Sequence, residues 1–186
     1  MVVGAGECTD EVAEKILSAT VNAQLNAPIR WKSKSIRKDG RPSQLEGNVP
    51  VRSDLPDRFD LLFRIKVDLV WEYTLILRHL PSGTNVRRLD VRGTHRDRVG
   101  EDYICRTHKH RWSEARGNKD VYAPTDIRHD PTVPVDTSLA FLDEEYRRVL
   151  LDFMSECNIA IGTGYTWYSP PVPPDTLPLE GLEEYP

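Results

Sequence analysis

The chain has 186 residues, 39% of them hydrophobic and 29% charged, with a net charge of −4 and three cysteines. That size suits one domain with a modest core, and no run approaches the roughly 18 apolar residues a membrane span needs. Cys8, Cys105 and Cys157 are odd in number and far apart, which argues against a disulfide framework; with no basic segment leading into an apolar one at the N-terminus, a cytoplasmic protein is expected.

Thr9 or Asp10 caps a helix expected over residues 11–24, where Val12, Ile16, Leu17 and Val21 recur at helical spacing. Residues 29–37 alternate loosely and become rich in Lys and Ser. Asp39-Gly40 and Pro42 read as a turn, and residues 47–56, with Pro50 and Pro56, as irregular. Phe59, Leu61, Phe63, Ile65 and Val67 then mark a strand, with Arg64 and Lys66 on its other face. Residues 69–80 form the next strand, with Trp71, Tyr73, Leu75 and Leu77 on one face and Arg78 on the other. After a turn at residues 81–85, strands are expected over 86–91, 103–112 and 121–123, separated by a polar loop at 97–102 and a turn at 116–119. Residues 131–134 read as a linker. Leu139, Leu142, Tyr146, Val149, Leu150 and Phe153 give the strongest helix, over residues 138–157, with Asn158 as its cap.

This order predicts an α+β fold, an antiparallel β-sheet (meander) packed on one face by an N-terminal and a C-terminal helix. Residues 1–164 form the single domain. Residues 165–186 form a Pro-rich acidic tail, flexible or docking as an extended strap. Trp31, Trp71 and Trp112 are read as core.

Charge is unevenly spread. Residues 28–119 hold 21 Lys and Arg against 12 Asp and Glu, a surplus of +9, whereas Asp175, Glu180, Glu183 and Glu184 make the tail acidic. A basic face carrying Arg64, Lys66, Arg78, Arg88, Arg96 and Arg111 suits a phosphate-bearing partner, RNA above all, and the tail suits a protein partner. Outward arginines on a solvated sheet are the plainer alternative.

Chemistry concentrates at His95, His108 and His110. Residues i and i+2 of a strand share a face, so His108 and His110 present two imidazoles side by side. One reading is metal-free phosphodiester cleavage without a cofactor. His108 and His110 serve as acid and base, and His95 or Tyr122 with Arg106 orients and stabilises the phosphate. Another is a metal held by His95, His108 and His110. Glu114 completes His-x-His-x-x-x-Glu, which resembles half of the first cupin motif, but no second half follows. A third is that the histidines are surface residues on an Arg-rich sheet. No Walker A loop, Gly-x-Gly-x-x-Gly or Cys-x-x-Cys is present, and no Ser or Cys has a nucleophile's context.

The series Arg88-Leu89-Asp90, Thr94-His95-Arg96-Asp97, Thr107-His108-Lys109-His110, Val121-Tyr122-Ala123-Pro124 and the terminal Cys157-Asn158-Ile159 resembles a family of small bacterial proteins with a domain of unknown function. That family reads His-Arg-Asn-Pro, Pro-His-x-His, Trp-Ala-x-Pro and Cys-Asn-Ile. Here Asp97 stands for the Asn, Thr107 for the Pro and Tyr122 for the Trp. The resemblance spans residues 59–159. It implies a bacterial or phage protein from a toxin, defence or counter-defence setting, with His95, His108 and His110 together. The expected function is thus nucleic-acid action in a conflict system, as a ribonuclease-like toxin or effector. The alternative is a non-catalytic subunit or inhibitor that binds nucleic acid or an acidic partner through the basic face.

Overall fold

The computed structural model describes residues 6–38, 40, 42–95, 104–105, 107–132, 134–136 and 138–171. Thr9 caps α1 (Asp10–Ile16), its Oγ1 accepting from the Val12 N–H at 3.2 Å. This helix is shorter than the apolar spacing over residues 11–24 suggested. The Leu17 and Ser18 N–H groups bond three residues back, and the Ser18 hydroxyl then meets Thr20. A serine side chain that bonds its own neighbourhood competes with helix continuation. The chain enters the sheet instead, as β1 (Gln24–Leu25).

β2 (Arg30–Ile36) is exposed along nearly its whole length, so no hydrophobic alternation betrays it; its lysines suit a sheet edge. β3 (Pro42–Arg52) runs through the stretch expected to be a turn and irregular chain. Pro50 is tolerated because the ladder with β2 ends at Asn48 and that with β1 starts at Val51. Gly47 allows close packing: a Cβ there would lie 2.7 Å from Ile29 Cδ1 and 3.0 Å from the Trp31 ring. β4 (Phe59–Lys66), β5 (Tyr73–His79) and β6 (Thr84–Val91) continue as a meander. β5 starts later than expected because Glu72 N–H bonds the Leu69 carbonyl in a turn.

β7 (Thr94–His95) and β8 (Ile104–Cys105) make a separate two-stranded ladder. β9 (His108–Ser113) then returns beside β6 and forms a hairpin with β10 (Gly117–Tyr122). α2 (Leu139–Glu156) is capped by Ser138, and Asn158 follows it at φ 53. β11 (Ala160–Ile161) pairs parallel with β1. The main sheet runs β10-β9-β6-β5-β4-β3-β1-β11, with β2 also on β3. Apart from the β1–β11 pair it is antiparallel, in the α+β layout the element order predicts.

One face of the sheet holds the core. Phe63, Ile65, Tyr73, Leu75, Leu89 and Val91 meet Leu142, Tyr146, Val149 and Phe153 of α2, and Ile16 of α1 joins the same cluster. Phe63 and Tyr146 contact edge-on at 5.4 Å between ring centres. A fully buried side chain such as Phe63 or Phe153 contributes about 2–3 kcal/mol. Arg92, at φ 52, turns the chain out of β6 and grips Glu145 of α2 with two bonds of 2.8 Å. Tyr73 donates to the same carboxylate at 2.7 Å.

The stretch after β11 docks on the sheet. Ile29 N–H bonds the Thr166 carbonyl, Trp31 Nε1 the Tyr168 carbonyl, and Trp167 Nε1 Asp143. Trp167 meets Trp31 edge-on at 6.0 Å. The start of the tail is therefore a strap; residues 172–186 lie outside the described residues. No described helix is long and apolar enough to cross a membrane.

Candidate functional site

Away from the core, the sheet carries an ordered polar row. Lys32, Glu46, Arg64, Thr74, Asp90 and His108 are successive cross-strand partners on β2, β3, β4, β5, β6 and β9. Directly paired residues share a face, so all six side chains stand on one side. Beside this row, Arg88 faces His110.

Glu46 accepts Arg64 Nε at 3.0 Å and has Lys32 and Lys34 at 3.3 and 3.8 Å. Burial pushes its carboxyl up, but these three cations outweigh burial and hold it below the ordinary carboxylate range. Arg78 forks onto Asp60 at 3.0 and 2.6 Å, and Lys66 pairs with Glu72. Each expected basic residue described on this face, Arg64, Lys66, Arg78 and Arg88, thus has a carboxylate partner.

Asp90 is the centre. Its Oδ1 accepts Thr74 Oγ1 at 2.6 Å and Arg88 Nε and Nη2 at 3.0 and 2.9 Å. Its Oδ2 lies 2.8 Å from Arg88 Nε and 3.3 Å from both His108 Nε2 and His110 Nε2. Burial alone would raise this carboxyl; His108, His110, Arg88 and Thr74 together hold it well below the ordinary range. It is anionic throughout the physiological range. The two imidazole rings stand 5.0 Å apart at 64°. All three side chains are almost fully buried. His108 and Asp90 also form one wall of a cavity of about 230 Å³, whose other walls include Arg64, Lys66, Thr74 and Arg88. Among the described residues, Asp90, His108 and His110 are the one set of His, Cys and acidic side chains whose ligand atoms gather closely enough to hold a metal ion.

Sequence reasoning paired His108 with His110 and missed Asp90. Asp90 lies two residues from Arg88 on the same face, but only the β6–β9 register puts it opposite His108. His95 has its backbone in β7, paired with Ile104; its side chain, Arg96 and Arg106 lie outside the described residues. Two expected site residues are on the other side of the sheet. Tyr122 pairs with Lys109, which places it on the core face, where its hydroxyl reaches Glu156 at 3.2 Å. Arg111, two residues from Lys109, sits 5.6 Å above the Tyr122 ring, away from Arg64 and Arg88. Neither reaches the histidine pair.

The other two histidines whose side chains are described have structural partners. His79 is fully buried between Ser82 and Asp57, and His129 meets Thr107 Oγ1 at 2.6 Å. Cys8 and Cys157 are buried free thiols; burial pushes Cys8 up to about 11 and Cys157 higher still, so neither supplies a thiolate. Comparison with protein-family models, with curated proteins and with solved structures finds no significant match to this chain.

Proposed function

We propose that the protein acts on nucleic acid, RNA first, at the polar face of its sheet, as a small effector of a bacterial or phage conflict system. The observation that carries this reading is the convergence of His108 and His110 on Asp90 in the wall of a cavity flanked by Arg64, Lys66 and Arg88. Glu46 serves three cations, so that flank keeps a local positive surplus that favours phosphate. The conflict-system setting comes from the sequence resemblance.

The fitting reaction is transesterification. Ribose O2′ gives up its proton and bonds phosphorus, the P–O5′ bond breaks, and O5′ leaves with a proton. Imidazole suits this step as an acid–base group or as a ligand. The test incubates the full chain with labelled RNA, once with a chelator and once with added divalent metal. Fragments are expected from the native protein in at least one condition. None are expected from His108→Ala/His110→Ala, whose circular dichroism stays native. Intact RNA in every condition, or equal cleavage by the double variant, overturns the reading.

A second reading, a non-catalytic subunit or inhibitor, is favoured by one observation: the basic side chains of the cavity wall are all tied to carboxylates. It expects RNA to be bound without cleavage and Arg64→Glu with Lys66→Glu to abolish the gel shift. The acidic residues beyond 172 are then the surface for a protein partner.

A further inference from the structure

The geometry points to a divalent transition-metal centre built from Asp90 Oδ2, His108 Nε2 and His110 Nε2, with zinc as the reference ion. The inference takes its substrate from the reading above but its ligand set from geometry alone.

Three observations converge. The first is spacing. A charge-assisted hydrogen bond from an imidazole to a carboxylate closes to about 2.7–2.9 Å. Here both nitrogens stand at 3.3 Å from Asp90 Oδ2. Ligands about 2.0–2.1 Å from a tetrahedral zinc lie about 3.3–3.4 Å from each other. Both nitrogens stand from Asp90 Oδ2 at the separation of two ligands that share an ion, and all three atoms lie within 4.8 Å of one another.

The second is the tautomer. His110 Nδ1 lies 3.0 Å from the Asn118 carbonyl oxygen. A carbonyl only accepts, so Nδ1 carries a proton, which leaves Nε2 as the ligating atom in the tautomer a metal takes. A backbone carbonyl on the far nitrogen is the usual outer support of a metal-bound histidine.

The third is the division of labour on Asp90. Thr74 and Arg88 bond Oδ1, and Arg88 Nε also lies 2.8 Å from Oδ2; this fixes the carboxylate plane with Oδ2 turned to the imidazoles. The carboxylate is buried and stays ionised, as a ligand must. Two histidines and one carboxylate leave at least one coordination position free, and Asp90 and His108 border the cavity. With an ion there, the imidazoles are ligands, and their expected roles as acid and base pass to other groups.

Zinc and cobalt(II) titrations of chelator-treated full-length protein test this. Calorimetry should give one ion per chain, and cobalt should give the intense visible bands of a low-coordinate N/O site. Asp90→Asn should weaken zinc binding by about tenfold or more. His110→Gln serves as the second variant should Asp90→Asn fail to fold. Absence of stoichiometric binding by the native protein, or an unchanged affinity in a folded variant, overturns the centre. The two readings fail separately: zinc bound but RNA intact removes the ribonuclease and keeps the metal, whereas cleavage in chelator without ion binding does the reverse.

Discussion

Strand β9 places two buried polar clusters back to back. Lys109 points into the core side and meets Asp126 and Glu156, each at 2.6 Å. His108 and His110 point the other way and stand 3.3 Å from a single carboxylate. All three residues are 2–3% exposed. The Lys109 cluster is closed: its contacts are at hydrogen-bond length, and two anions face one cation. Burial lowers the ammonium pKa, but Asp126 and Glu156 outweigh it and raise the value, so the charge is locked on. The histidine cluster is spaced more widely than its groups need, and it borders a cavity. Burial alone therefore does not separate a clamp from a working site; spacing and charge balance do.

Lys109→Met is the sharpest way to break the comparison. It strands Glu156 without its cation and should cost about 3 kcal/mol in denaturant unfolding. Zinc affinity should be unchanged; a loss would mean that the two clusters are coupled through the strand. Asp90→Asn should destabilise most at neutral pH and least at acid pH. A carboxyl held below its unfolded value contributes stability that is present above about pH 4 and lost as pH falls toward the folded value. The variant should lose that contribution at neutral pH, and its stability should fall less between about pH 4 and 2 than that of the native protein, as read by urea midpoints. Equal acid slopes would remove Asp90 from the centre. Tyr122→Phe is the mildest change. It deletes one hydroxyl contact to Glu156, worth about 0.5–1 kcal/mol, and should leave RNA cleavage and ion binding intact. Lost cleavage would return Tyr122 to the site.

Legibility followed exposure and register. The apolar stripe of α2 was readable because Leu139, Leu142, Tyr146, Val149, Leu150 and Phe153 are all buried. β4 was readable because its alternation faces the core on one side. β2 was hidden because almost nothing on it is buried. β3 was hidden because Pro42, Gly47 and Pro50 look like turn residues, although Gly47 serves packing and Pro50 falls between two ladders. At the site, the i, i+2 rule correctly joined His108 to His110. It could not recruit Asp90, because cross-strand partners depend on a register that local pattern does not encode. The same limit misplaced Tyr122, whose side is set by a β9–β10 ladder that shifts between Gly117 and Asp120, whereas Arg111 takes the side opposite His110 by simple alternation along β9.

The strap has a consequence for how the fold is completed during synthesis. β11 is the last described strand to leave the ribosome, yet it pairs with β1, among the first. Until residues 160–168 emerge, the β1 edge lacks that neighbour, and Trp31 and Phe63 lack Trp167. A nascent chain stalled before this point carries a sticky, half-finished edge that invites chaperones or intermolecular pairing. Arrival of the Trp167 segment therefore closes the aromatic cluster of Trp31 and Phe63 after the strands that carry them have been made.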